Sequence, residues 1–175
     1  MKIGVVSDTH RNQDVLQTVA DWLIDTHRIV SLYHLGDDYQ DVSVLADRGV
    51  DIVQAPGIYH PGYRDKSLPA SVTENVMGLQ VMLVHSFEKD VTDEDQTVVD
   101  IILHGHTHHP ELKLQDGHLW MNPGHCKGHK DKNTDSSFGL LDVQERQVTA
   151  SIFNLDYAEI ERLEMYRAEN GLFKK

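Results

Sequence analysis

The sequence predicts an α/β fold with an alternating first half and a mostly antiparallel second half. Up to residue 55, short apolar runs alternate with amphipathic helical stretches; from residue 72 onward, apolar runs follow one another across turn-like segments. A third observation locates the chemistry. Asp and His residues come directly after the apolar runs, at the carboxyl ends of the expected strands, where ligand crevices open in such sheets.

Ile3–Ser7 reads as a buried strand. Gln13–Thr26 reads as a helix, because Val15, Leu16, Val19, Leu23 and Ile24 share one face and Asn12 suits an N-cap. Ile29–Leu35 is a second strand and Val42–Arg48 a second helix, with Asp38 and Asp41 near its positive end. Asp51–Ala55 is a third strand, stopped by Pro56-Gly57. Val72–Asn75 and Leu79–Val84 form a hairpin around Met77-Gly78, and Ile101–Leu103 is another buried run. Leu112–Leu114, Leu119–Met121, Phe138–Val143 and Val148–Asn154 complete the strands as antiparallel neighbours. A helix over Tyr157–Arg167, with Ile160, Leu163 and Met165 among charges, ends the pattern.

The chain of 175 residues, 39% hydrophobic and 25% charged, fits one domain around a single core. No apolar run approaches the ~20 residues that span a bilayer, so no membrane partner is expected. The lone Cys126 cannot form an internal disulfide, which agrees with a reducing, cytoplasmic location. A formal charge of −12 argues against broad nucleic-acid binding, which needs basic residues to displace counterions. It leaves room for a small phosphate ester, since bound cations reverse the local field. Histidine is the unusual component: 12 in all, with His104, His106, His108, His109, His125 and His129 close together.

Four motifs follow strand ends: Asp8-Thr9-His10, Gly36-Asp37-Asp38, His85, and Gly105-His106-Thr107-His108. Taken singly, each is ordinary turn or cap chemistry. Taken jointly, they supply carboxylate and imidazole donors suited to Mn, Fe, Zn or Ni. Two such ions about 3.5–4 Å apart can clamp a phosphoester.

By these motifs, their order and their approximate spacing, the chain resembles the calcineurin-like metallophosphoesterase superfamily. It is most similar to the small bacterial and archaeal phosphodiesterase branch, over residues 1 to about 154. The resemblance implies a β-sandwich of mixed sheets flanked by helices. Residues 1–155 would form the metallophosphoesterase domain, with residues 156–175 a C-terminal helix packed on it. It implies that Asp8, His10 and His108 hold a first divalent metal, that Asp37 bridges, and that His85 and His106 hold a second. A hydroxide between the ions would attack phosphorus in line with the leaving oxygen. The implied activity is hydrolysis of a small phosphoester, a diester foremost. A phosphomonoesterase with the same site, or a non-catalytic metal-binding scaffold of the same fold, are the alternatives.

The sequence departs from the family pattern after the third strand. Relatives carry Gly-Asn there, and the Asn is a second-metal ligand; this chain has Gly57-Ile58-Tyr59-His60. A second register, Gly62-Tyr63-Arg64-Asp65, also lacks the Asn, and the first is preferred because Pro56-Gly57 directly ends the strand. The second metal therefore loses a ligand and binds more weakly, unless His60 replaces it. His60 is otherwise a candidate general acid for the leaving alcohol, or a plain loop histidine. His85-Ser86-Phe87 stands where relatives often have His-Gly-His, exchanging a donor for an aromatic wall. In the loop Asn122–His129, His125 and Lys127 are candidate phosphate contacts, as is Arg11; a separate site of His125, Cys126 and His129 is a further alternative. His34 and His104 read as core or supporting histidines, and His109 and His118 as surface ones. Oligomeric state is not readable.

Overall fold

The computed structural model describes residues 1–175. It begins with strand β1 (Lys2–Val6), helix α1 (Gln13–Trp22) continued by a π-helical turn over Leu23–His27, and strand β2 (Ser31–His34). A 3-10 turn over Asp41–Leu45 leads to β3 (Asp51–Gln54), the one-turn helix α2 (Pro61–Arg64), β4 (Ser71–Val76) and β5 (Leu79–Val84). Two more one-turn helices, α3 (Phe87–Asp90) and α4 (Asp95–Val98), precede β6 (Ile101–Leu103), β7 (Glu111–Gln115) and β8 (His118–Asn122). A small hairpin of β9 (Lys130–Asp131) and β10 (Thr134–Asp135) is followed by β11 (Ser137–Val143), β12 (Gln147–Asn154), β13 (Glu159–Ala168) and β14 (Gly171–Lys174).

These strands build two mixed sheets. The larger has the order β14-β13-β12-β11-β1-β2-β3, the smaller β4-β5-β6-β8-β7. Each contains a parallel trio: β1, β2 and β3 in one, β5, β6 and β8 in the other. Parallel strands gather their carboxyl ends at one edge, and the site lies there.

Alternation along the strands sorts side chains to opposite faces. Ile3, Val5 and Tyr33 face inward with Leu83, Leu103, Met121 and Ile152, forming the main core between the sheets. Val6 and Leu32 face the other way and pack against Leu16, Val19 and Leu23 of the first helical segment. A third cluster, Met82, Val84, Val99 and Ile102, covers the outer face of the smaller sheet, with Phe87 and Trp120 packed on it. Truncating a central residue such as Leu83 or Leu103 to Ala would cost about 2–5 kcal/mol. No helix is long and apolar enough to cross a membrane.

The expected C-terminal helix over Tyr157–Arg167 is not formed. This segment is strand β13, paired antiparallel with β12 from Gln147 opposite Tyr166 to Phe153 opposite Glu159, and then with β14. Leu163 and Met165 join the main core at strand spacing. Only Ile160 and Leu163 have helical spacing, and Ile160 is exposed. The long open edge of β12 outweighs the helix propensity of the Glu-rich segment. Residues 156–175 therefore extend the larger sheet. The expected second helix is only the 3-10 turn Asp41–Leu45, and β8 runs parallel, not antiparallel, to its neighbour β6.

Candidate metal centre

All six candidate ligands follow parallel strands: Asp8 and His10 after β1, Asp37 after β2, His85 after β5, and His106 and His108 after β6. Four of them take left-handed backbone, with φ of 52° at Asp8, 48° at His10, 70° at His106 and 67° at His108. Non-glycine residues adopt that region at a cost of order 1–3 kcal/mol, and only where the surroundings enforce it. The enforcing bonds are present. Asp8 N donates to Gly36 O at 2.7 Å, Arg11 N to Asp41 Oδ2 at 2.8 Å, and His106 N to Asp8 Oδ2 at 3.0 Å. Asn122 Nδ2 braces the His106–His108 loop through Gly105 O at 3.1 Å and Thr107 Oγ1 at 2.9 Å.

Two glycines permit the close approach. A Cβ on Gly105 would lie 1.9 Å from Ser7 Oγ and 2.7 Å from Asp8 Oδ2. A Cβ on Gly57 would lie 2.6 Å from Asp37 Oδ1. The contact of Gly57 with Asp37 selects the Gly57-Ile58 register, because Gly62 packs instead on Leu68. On that register Ile58, which is buried, stands at the position for which the family resemblance implies an Asn.

Donor atoms of Asp8, His10, Asp37 and His108 all lie within 4.8 Å of one another. His108 Nε2 is 3.1 Å from Asp8 Oδ1, and His10 Nε2 is 3.1 Å from Asp37 Oδ2. Asp37 turns its other oxygen to His85 Nε2 at 2.9 Å, so its two oxygens face the two halves of the donor set. The His85 and His106 rings meet edge to face, 5.1 Å between centroids. The structure brings all six residues together, with the first four as the tight group.

The donor set fits a divalent cation. Asp8 Oδ1, Asp37 Oδ1 and His85 Nε2 are buried and have no hydrogen-bond partner, although they lie within 2.9–3.1 Å of another polar atom. His85 Nδ1 donates to Leu35 O at 2.7 Å, which leaves Nε2 as the bare nitrogen. His108 Nδ1 meets Asp131 Oδ2 at 2.5 Å with the same effect, so His108 Nε2 presents a lone pair to His10 Nε2, 3.3 Å away.

Burial works to raise the pKa of Asp8, but the neighbouring His108 and His85 imidazoles and Ser7 Oγ bring it down to about 2. Burial likewise opposes ionisation of Asp37, and the neighbouring His85 imidazole holds it below the usual range. Both carboxylates are therefore ionised and ready to bind metal. Burial lowers the pKa of His106 and keeps its imidazole neutral. For His85, burial is outweighed by Asp37 and Asp8, and its pKa is raised.

The remaining candidates separate. His60 caps α2, its Nδ1 accepting from Gly62 N at 3.0 Å, and its ring lies 5.3 Å from that of Tyr39. With Tyr39, Tyr59 and Arg11 it lines a cleft of 610 Å³ that reaches His10 and Asp37. Arg11 extends into solvent and pairs with Asp38 at 3.3 Å. His125 is fully buried, with Nε2 on Thr134 O at 3.1 Å and Nδ1 on Ser136 Oγ at 3.2 Å, so it presents no group to a substrate and packs against His108 instead. Lys127 is engaged with Asp131 at 2.9 Å. Cys126 is buried among apolar residues, its thiol pushed up to about 12 by burial, which gives no separate metal site with His125 and His129. His34 and His104 are buried as expected.

Two carboxylates with supporting roles escaped sequence reasoning. Asp131, from the β9–β10 hairpin, holds His108; nothing in its spacing from the Gly105–His108 motif signals this. Asp41, expected to begin a helix, instead accepts from Thr9 Oγ1 at 2.6 Å and from Arg11 N, clamping the Asp8–Arg11 turn. Its neighbour Asp38 was the more visible of the two because it continues the Gly-Asp motif.

Comparison with solved structures shows the same fold elsewhere. The Escherichia coli phosphoesterase Yfce matches with a TM-score of 0.70 and 19% identity, over 93% of this chain and 98% of that one. An archaeal phosphodiesterase matches with a TM-score of 0.70 and 20% identity, over 87% of this chain and all (100%) of that one. Vps29 from Entamoeba histolytica, solved with Zn²⁺, matches with a TM-score of 0.70 and 24% identity, over 94% and 99%. A model of the calcineurin-like phosphoesterase superfamily domain matches residues 1–146, most of the chain, and this protein belongs to that superfamily.

Proposed function

We propose that this chain is a metal-dependent phosphodiesterase acting on small phosphoesters. The observation that carries the reading is the convergence of Asp8, His10, Asp37 and His108 on one point beside an open cleft. The superfamily, and the named activities of the E. coli and archaeal neighbours, support it. Asp8, His10, His108 and Asp37 would hold a first divalent ion of the Mn, Fe, Zn or Ni type. His85 and His106, with Asp37, would hold a weaker second one beside Ile58. Such ions supply Lewis acidity that activates water and offsets phosphoryl charge.

The protein's own groups do the rest. Hydrolysis bonds a water oxygen to phosphorus, breaks one ester P–O bond and delivers a proton to the departing alcohol. His60 suits the leaving-group side: its Nδ1 accepts from Gly62 N, so the neutral imidazole carries its proton on Nε2 and offers an N–H donor to the departing oxygen in the cleft beside His10 and Asp37. The proton that the departing alcohol takes up is the one the attacking water gives up. Phosphomonoester hydrolysis is the alternative on the same site. A cytoplasmic location and the absence of broad nucleic-acid binding belong to this reading, supported by the free Cys126 and the charge of −12.

The likeness to Vps29 and the Ile58 substitution favour a second reading, a scaffold that binds metal without turnover. Against it stands the open cleft beside His10 and Asp37, room for a substrate that a metal-binding scaffold does not need. The test measures bound metal, then hydrolysis of bis(p-nitrophenyl) phosphate and p-nitrophenyl phosphate with Mn²⁺ and after chelation. The enzyme reading expects faster diester cleavage, lost on chelation and in Asp37→Asn. Metal-loaded protein inert on both esters would establish the scaffold reading.

A further inference from the structure

We propose that a second cleft, on the His106 side of the metal centre, binds a flat ring carried by one arm of the diester, an aryl group or nucleobase. The inference rests on the phosphodiesterase reading above. The cleft measures 460 Å³, within the size range of small-ligand sites, and it is continuous with the metal loop because Gly105, His106 and Thr107 form part of its wall. Two half-buried aromatic residues, Phe87 and Trp120, line it.

These walls are rigid. Both pack on the Met82, Val84, Val99 and Ile102 cluster, and Phe87 also lies against His104 at 5.5 Å between centroids. The face of Trp120 is already used for cation–π contact: Lys113 Nζ sits 5.4 Å from the ring centroid. A ligand ring can take that face while the flexible Lys113 stem swings toward an acceptor on the ligand. The Trp120 indole N–H has no acceptor within the protein. Lys132, held near His106 O at 3.4 Å, and Glu111 add polar groups for the ring's edges.

Two clefts therefore meet at one metal centre, one reached through His10 and Asp37 and one through His106. A monoester has a single organic arm and needs only one of them. A diester has two arms and fills both. Since His60 lines the first cleft, the leaving alcohol belongs there, and the ring-bearing arm stays on phosphorus. The product is then a monophosphate of that arm.

The experiment compares two diesters with the same leaving group, adenosine 5′-(p-nitrophenyl phosphate) and methyl p-nitrophenyl phosphate. Base stacking on an aromatic side chain contributes about 1–3 kcal/mol, so the methyl ester should show a KM roughly tenfold higher. That ratio should fall toward one in Trp120→Ala and be restored in Trp120→Phe. Independently of turnover, AMP or phenyl phosphate should quench the fluorescence of the wild-type protein but not of Trp120→Phe. Ribose 5-phosphate and inorganic phosphate should quench neither. Quenching by both aromatic ligands assigns the cleft to any flat ring, and quenching by AMP alone assigns it to a nucleobase. Equal KM values for the two esters, or no Trp120-dependent quenching, would overturn the proposal. Quenching without hydrolysis of any ester would leave the cleft standing and remove the phosphodiesterase reading.

Discussion

Asp131 Oδ2 lies 2.5 Å from His108 Nδ1, and the other Asp131 oxygen is held by Lys127 Nζ at 2.9 Å. The Lys127 hydrogen bond, against slight desolvation and aided by His108, lowers the Asp131 pKa to about 2, so it remains a carboxylate at any working pH. A carboxylate on the far nitrogen of a ligating imidazole fixes its tautomer and orientation and strengthens it as a donor. Asp131→Ala should weaken metal binding about 10–100-fold, read by calorimetric titration of Mn²⁺ or Zn²⁺. Lys127→Ala should do much less, because that pair is partly exposed and screened. Unchanged affinity in Asp131→Ala would reduce the contact to loop packing.

Ile58 occupies the position at which relatives offer an Asn ligand, directly after Gly57 on Asp37. Ile58→Asn is expected to raise the stoichiometry of tightly bound metal from about one toward two. The added donor should pair with His85 and His106 rather than with Asp8. Metal analysis after dialysis reads the outcome, and a stoichiometry unchanged by the substitution would show that the second position is limited elsewhere.

Gly57→Ala places a methyl group 2.6 Å from Asp37 Oδ1 and 2.8 Å from Asp37 Cα. The neighbours are a ligand oxygen and backbone, so neither yields cheaply. Overpacking of this kind costs about 1–3 kcal/mol. The expected result is a lowered Tm together with reduced metal affinity, because Asp37 itself must shift. A fall in Tm with wild-type metal binding would mean that the loop, and not Asp37, moves.

His34 is fully buried behind the ligand loops, donating from Nε2 to Thr9 Oγ1 at 3.1 Å while Thr9 donates to Asp41. Burial lowers its pKa from 6.5 to about 4, outweighing Asp41, which acts to raise it. Between those values the unfolded chain binds the extra proton and the folded chain does not. Stability is therefore complete above pH 6.5 and falls as pH drops toward 4, by about 3 kcal/mol from this group. Burial acts on His104, His106 and His125 in the same direction, and His85 acts in the opposite one. Denaturant melts of chelator-treated protein across pH 4–7 should show the fall, and His34→Asn should flatten it. An equal slope in the variant would place the pH dependence in other groups.

Most of the fold was legible because strands buried on both faces leave continuous apolar runs. The expected strands Ile3–Ser7, Leu79–Val84 and Ile101–Leu103 lie within a residue of their observed bounds. The C-terminal segment differs from its sequence expectation because its charges and its Ile160–Leu163 spacing resemble a helix, while its partner is the edge of β12, the strand just before it across a short turn, and strand preference depends on such packing. The one-turn helices α2, α3 and α4 left no periodic trace, being too short to repeat a face.

The sequence by itself determined the donor types and their places at strand ends: Asp8, His10, Asp37, His85, His106 and His108, with Ile58 as the break in the pattern. Those features are local, since each motif sits where an apolar run stops. Only the tertiary structure decided which groups support them. Asp131 on His108, Asp41 on the Asp8–Arg11 turn and Leu35 O on His85 are meetings of distant segments that no spacing encodes. The same holds for His125, which the fold buries behind His108 instead of exposing to a substrate. Which atoms a side chain meets depends on how two sheets stack, and that is settled by packing of the whole core.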